Sequence, residues 1–111
     1  FELVTSSDSS GAEEIAKNLP DGANLIKAFN TTLAGTLVSG KVEDKPLDVF
    51  IAGDIAEAKN ILSQFVTDGG MRPIDVGDLK EARMLEEVGL MHIKLQSKLG
   101  NTWMSAMKIL P

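Results

Sequence analysis

The stretch Leu47-Asp-Val-Phe-Ile-Ala-Gly-Asp54 decides the fold. It is nearly continuous in apolar and β-branched residues through Ala52 and then breaks at Gly53-Asp54, the pattern of a buried strand. Continuous apolar strands are usually covered on both faces, as in parallel α/β sheets. The next residues agree. Asp54-x-x-Glu57 has the spacing of a capping box. Ile55, Ala58, Leu62, Phe65 and Val66 then share one helical face, and Gly69-Gly70 ends the helix. Residues 71–76 (Met-Arg-Pro-Ile-Asp-Val) read as a further strand, with Pro73 pointing to an edge or to a site where its missing donor is not needed. Strand, helix, strand is the unit of the parallel α/β fold, joined by a right-handed crossover.

Upstream, residues 24–29 (Asn-Leu-Ile-Lys-Ala-Phe) are a short apolar run between turn signals, expected as a buried strand that ends at Asn30-Thr-Thr32. Ser10-Gly-Ala-Glu13 is a capping box. Ala12, Ile15, Ala16 and Leu19 give the helix behind it an apolar stripe, and Pro20-Asp-Gly22 stops it. Residues 32–38 fit a short helix or a loop, and residues 39–46 read as a connection. Downstream, Asp78-x-x-Glu81 is a third capping box. It opens a long helical pattern through Leu79, Ala82, Leu85, Val88, Leu90, Met91, Ile93, Leu95 and Leu99, with Gly89 placed to kink it. Gly100-Asn101 breaks the run. Trp103, Ala106, Met107 and Leu110 then predict a last short amphipathic helix. The expected architecture is one α/β domain over residues 1–111, with about three strands in a mostly parallel sheet and covering helices.

Composition narrows the function. A chain of 111 residues is one domain, able to bury about two-thirds of its surface. Hydrophobic residues at 43% exclude a disordered chain. There is no cysteine and one histidine, which excludes disulfides, thiolate metal sites and histidine cages. A net charge of −5 argues against a nucleic-acid partner. The apolar runs are too short to cross a membrane, and no secretory leader pattern opens the chain at Phe1. The expected setting is cytoplasmic.

Local motifs weigh less. Gly35-Thr-Leu-Val-Ser-Gly-Lys-Val42 nearly matches a phosphate loop, but Val42 has no hydroxyl for a metal and Pro46 interrupts the helix such a loop must open. The dinucleotide fingerprint G-x-G-x-x-G is absent, so the chain alone has no evident phosphate cradle. His92 lies in an apolar helical neighbourhood and is expected to be buried and hydrogen-bonded rather than catalytic. Met84, Met91, Met104 and Met107 read as core filler. Asp54, Asp75 and Asp78 could suggest a cation site, but Asp54 and Asp78 are better explained as helix N-caps, and no metal is expected. The remaining signal is positional. Asn30-Thr31, Gly53-Asp54 and Gly77-Asp78 each come directly after a strand, and open α/β sheets place ligands at the carboxyl ends of strands.

Three blocks at these corners resemble a known family. They are Lys27-Ala-Phe-Asn-Thr31; Leu47 to Asp54 with Ala56-Glu-Ala-Lys59; and Arg72-Pro-Ile-Asp-Val-Gly77, followed by Leu79 and Glu81-Ala-Arg-Met-Leu-Glu86. Together they resemble, in order and spacing, the carboxyl-terminal half of the deazaflavin-dependent NADP oxidoreductase family, many of whose members are described only as dinucleotide-binding proteins. The cytoplasmic domain of the transmembrane metalloreductases is similar. The resemblance runs from Ser10 to Pro111.

It implies the second half of a Rossmann-like sheet and an enzyme that transfers hydride between NADPH and a flavin-like or other small acceptor. The glycine-rich half would precede this chain, which alone would hold no cofactor tightly and would be inactive. By the resemblance, Phe29, Asn30 and Thr31 lie at the nicotinamide end, and Gly77, Asp78 and Leu79 lie beside the acceptor ring. Arg83 matches an arginine of the family, either an ion-pair partner or a ligand contact. Family members often carry proline where Asp78 stands, and an added carboxylate there works against an anionic deazaflavin. The resemblance also implies a homodimer, formed partly by residues 89–110, unless that segment packs on the missing half. The alternative is a non-catalytic α/β interaction module that lacks the cofactor-binding half.

Overall fold

Asp48–Gly53 is the middle strand of a three-stranded sheet in the computed structural model of the chain, which describes residues 1–111. In chain order the elements are α1 (Gly11–Ala16), β1 (Ile26–Lys27), α2 (Ala34–Ser39), β2 (Lys41–Val42), β3 (Lys45–Pro46), β4 (Asp48–Gly53), α3 (Ala56–Asp68), β5 (Arg72–Gly77) and α4 (Ala82–Leu95). A 3₁₀ turn at Leu79–Glu81 precedes α4 and another at Gln96–Lys98 comes after it. The sheet order is β1-β4-β5. The parallel β4–β5 ladder runs from Asp48↔Arg72 to Ala52↔Gly77, whereas the antiparallel β1–β4 ladder holds only Ile26↔Gly53 and Lys27↔Ala52. The fold is therefore mixed α/β with a small, mostly parallel sheet, and Pro73 lies on an edge strand.

Alternation along β4 divides the core. Val49 and Ile51 are fully buried and pack with Val66 of α3, flanked by Ile26, Phe29, Leu62 and Met71. Phe50 points to the other face, is half-buried, and borders an apolar cavity of about 230 Å³ with Val76, Met84, Leu85, Val88 and Met107. Asp48, Val49, Ile51 and Ala52 are each at most 1% exposed, which identifies β4 as the best-covered strand. Ala12, Leu79 and Ala82 form a second small core under α1.

Several local expectations change. The first strand is only Ile26–Lys27, half-buried, and it runs antiparallel. The stretch 32–38 that fits a helix or a loop holds most of the short helix α2 (Ala34–Ser39), ended by Gly40 at φ +69. The connection after it is a hairpin, β2–β3, whose two turn residues Glu43 and Asp44 have φ +49 and +63, the positive pair that two-residue hairpins use. Gly89 does not kink α4, which is continuous from Ala82 to Leu95. The N-cap of α3 is Ile55 and makes no side-chain cap bond, so Asp54 does not cap that helix. Asp78 precedes the 3₁₀ turn and also makes no side-chain cap bond. Only half of the Ser10 capping box forms: the Ser10 hydroxyl accepts from Glu13 N at 3.0 Å, while the Glu13 carboxylate turns to Arg83 instead of the Ser10 amide.

The expected terminal helix around Trp103 is absent. Residues 101–111 have no regular secondary structure and lie along the domain as a strap. A two-turn helix is marginal by itself, and two polar hubs hold the extended form instead. At the first, the buried His92 ring bonds Thr31 O through Nδ1 at 3.0 Å and Ser105 Oγ through Nε2 at 2.8 Å. Gln96 Nε2 donates to the same hydroxyl at 2.9 Å. At the second, the fully buried Asp48 carboxylate accepts two bonds from Arg72 at 2.8 Å, one from Lys108 Nζ at 2.8 Å and one from Ile109 N at 2.7 Å. Burial would raise the Asp48 carboxyl, but the bonds from Arg72, Lys108 and Ile109 outweigh it and hold it below the usual carboxylate range.

Candidate functional site

The chain turns sharply at Phe29, whose φ of +65 is uncommon for an aromatic residue. The turn is closed by Thr32, whose amide and hydroxyl both donate to Phe29 O, at 3.2 and 2.7 Å. It divides the first predicted group. The Phe29 ring packs into the β4–α3 core, and Thr31 is buried beneath His92. Asn30 alone faces a cleft. Strained backbone held by surrounding bonds is common at ligand sites.

That cleft, about 460 Å³, lies between α1, β1 and α4 and is lined by Lys27, Asn30, Glu86, Gly89, Leu90, Ile93, Ile15 and the segment Phe1 to Leu3. Asn30 Nδ2 donates to Leu85 O at 2.6 Å, while Asn30 Oδ1 is buried without a partner. An orphaned buried carbonyl is costly, and this one lies just beneath the cleft that Asn30 lines, itself covered from solvent. Gly89 admits Asn30, because a Cβ there would lie 2.7 Å from Asn30 Nδ2. Glu86 ties the walls together. It accepts from Gly11 N at 2.7 Å and Ala12 N at 3.2 Å, at the start of α1, and pairs with Lys27 Nζ at 3.3 Å.

The second predicted group lies elsewhere. Because β1 is antiparallel, Asn30 leaves the sheet away from the carboxyl ends of β4 and β5, where Gly77, Asp78 and Leu79 sit. Leu79 is buried against Ala12 and Ala82. It also borders a smaller cleft of about 320 Å³ with Asp54, Ile55, Asn24 and Leu19. Asp78 is exposed. Asp54 Oδ1 accepts from Leu79 N at 2.9 Å, so its carboxylate braces this loop rather than α3. The two clefts flank α1 and share Leu25; of the six predicted residues only Asn30 lines the first and only Leu79 the second.

Other candidates resolve as structure. Arg83 makes a two-bond pair with Glu13 at 2.8 and 2.9 Å and is an ion-pair partner. His92 is buried and bonded on both ring nitrogens, as expected. No group of three histidine, aspartate or glutamate side chains converges in metal-binding geometry. Lys27, Glu86 and Lys59 stand within the three blocks, but nothing in those blocks gives them a role at the site. Their partners are remote in sequence, and no local spacing announces such pairings.

No family model matches the chain. Metalloreductase STEAP3 of Rattus norvegicus is 37% identical over 81 residues, which is 73% of this chain and 16% of that protein. The F420-dependent NADP reductase of Methanothermobacter marburgensis is 35% identical over 95 residues, 82% of this chain and 41% of that one. Among solved structures, a protein of Arthrobacter sp. FB24 assigned as an F420-dependent NADP reductase superposes with a TM-score of 0.83 at 29% identity, over 94% of this chain and 47% of that one. The chain thus spans less than half the length of each of these relatives. In sequence and in fold the chain is similar to part of the deazaflavin-dependent NADP reductases.

Proposed function

We propose that this chain is the acceptor-side and dimer-forming half of an NADP-dependent oxidoreductase that moves hydride between NADPH and a flavin-like or other small acceptor. The observation that carries the reading is the fold match over 94% of the chain to part of an NADP reductase, at a TM-score of 0.83. The cleft fits one end of the cofactor. Asn30 Oδ1 lacks a donor; a rotation of the side chain toward the cleft would expose it, and a carboxamide N–H of a nicotinamide is the complementary group. NADPH supplies the hydride, and the protein's share is to bind and orient the reacting rings. Asn30 orients one ring and Gly89 leaves room for it; the acceptor ring has to meet the nicotinamide at that cleft for hydride to pass, and the Gly77–Asp78–Leu79 loop, on the other side of α1, borders the remoter part of the acceptor. The phosphates need a glycine-rich turn that this chain does not carry, so their cradle belongs to residues outside it.

No helix is long and apolar enough to cross a membrane, and the proposed setting is cytoplasmic. The partner is a second copy or the preceding half. Met84, Val88, Met91 and Leu95 recur along α4 at helical spacing, with Met84 and Met91 nearly half exposed. Glu87 lies beside this stripe on one side of its middle and Lys94 and Lys98 on the other. An antiparallel pairing of two α4 helices about Met91 would set Glu87 of one against Lys94 of the other. The function is tested with the complete protein, by following NADPH absorbance with a deazaflavin or flavin acceptor. Oxidation of NADPH is expected, and Asn30→Leu should weaken NADPH binding about tenfold, the effect of one lost hydrogen bond. A complete protein that neither binds nor oxidises NADPH contradicts the proposal.

A further inference from the structure

Val76 is an extra residue in β5. The register with β4 passes from Ile51↔Asp75 to Ala52↔Gly77 and skips it. Such bulges bend a strand and re-aim the residues beyond the bend, and they are frequent beside active sites. Here a closed ring of contacts fixes the bend. Lys59 Nζ donates to Asp75 Oδ1 at 3.1 Å and to Gly77 O at 3.2 Å, and Asp75 Oδ1 accepts from Gly77 N at 2.9 Å. Gly77 has φ +121, which side-chain-bearing residues rarely adopt. The Lys59 stem runs over Gly53, where a Cβ would lie 3.4 Å from Lys59 Cγ.

Lys59 is unusual in its burial. Its side chain is 11% exposed, although it pairs with Asp75, which is 52% exposed. A surface lysine could neutralise Asp75 without the cost of desolvation. Lys59 does more than neutralise Asp75, because the same Nζ also donates to Gly77 O at 3.2 Å. We propose that Lys59 is a positioning residue: through Gly77 O and Asp75 it fixes the bulge, and with Asp54 on Leu79 N it sets the path of the Gly77–Asp78–Leu79 backbone toward the hydride acceptor. The proposal rests on the reductase function proposed for the chain, and it concerns a residue that touches neither cofactor nor acceptor.

The test uses Lys59→Met in the complete protein, which keeps the stem and removes the donors. Hydrogen exchange at the Gly77 and Leu79 amides should quicken about tenfold, the effect of one charged hydrogen bond, with Val49 and Ile51 unchanged. The KM for the acceptor should rise by a similar factor, with the KM for NADPH unchanged, and Lys59→Arg should recover part of the loss. If Lys59→Met does not fold, Asp75→Asn is measured in its place; it breaks the ion pair and keeps an acceptor for Gly77 N. Unchanged exchange at Gly77 and Leu79 overturns the inference, as does faster exchange with an unchanged acceptor KM. A wild type that transfers no hydride refutes the proposed function and leaves the tether to the exchange measurement, which then decides it alone.

Discussion

Asn30 and Gly89 meet at the floor of the larger cleft, and their contact is close enough to predict from. Alanine at Gly89 would improve helix propensity by about 1 kcal/mol. Its Cβ would also lie 2.7 Å from Asn30 Nδ2 and 3.0 Å from Asn30 O, and overpacking costs about 1–3 kcal/mol. One of those atoms is backbone held by the Phe29 turn, so the clash should win. We expect Gly89→Ala to lose about 1 kcal/mol in urea melts, and a stabilised variant would show that the Asn30 turn gives way. Gly89 illustrates what the sequence hides. A lone glycine in a helical pattern reads as a kink, and only a residue far upstream explains it as clearance. Phe29 is a similar case: nothing in Lys27-Ala-Phe-Asn-Thr31 reveals that φ changes sign there and sends Phe29 and Asn30 to different surroundings.

At the scale of elements, β4, α3 and β5 were legible because their signals are local: a β-branched run, a helical stripe, a glycine stop and an edge proline. Residues 101–111 were not. Trp103, Ala106, Met107 and Leu110 carry a helical period, but the segment satisfies its polar groups on His92, Gln96 and the Asp48 carboxylate, partners that periodicity cannot report. Asp48→Asn should therefore cost about 3 kcal/mol, the lower end for a broken buried pair, and should release the strap. The lowered Asp48 pKa also sets the acid dependence. A carboxyl held lower in the folded than in the unfolded chain contributes its full stability above the unfolded value, about 4, and loses it as pH falls through the folded value. Asp75 adds in the same direction. Burial would raise it, but the Gly77 amide and Lys59 lower it. Thermal melts from neutral pH downward should show wild type and Asp48→Asn converging below about pH 4. A constant gap across that range would contradict the role given to the ionised carboxylate.

For the whole molecule, the charge balance and the missing phosphate cradle narrowed the class, and the order of three blocks pointed to the family. The separation of the two predicted groups was not legible, because the sense of β1 cannot be read from a two-residue strand. The exposed stripe on α4 bears on assembly. Light scattering on the chain at about 0.1 mM, well above a micromolar dissociation constant, should show a dimer, and Met91→Lys should give a monomer. A monomeric wild type would leave the stripe to the preceding half. The central claim is that this chain supplies the acceptor side of an NADP reductase while the dinucleotide phosphates are held elsewhere. Calorimetric titration of NADPH into the 111-residue chain and into the complete protein tests it most directly. The account predicts no binding in the micromolar range to the chain alone and saturable binding to the complete protein; micromolar binding to the chain alone, or none to the complete protein, would contradict it.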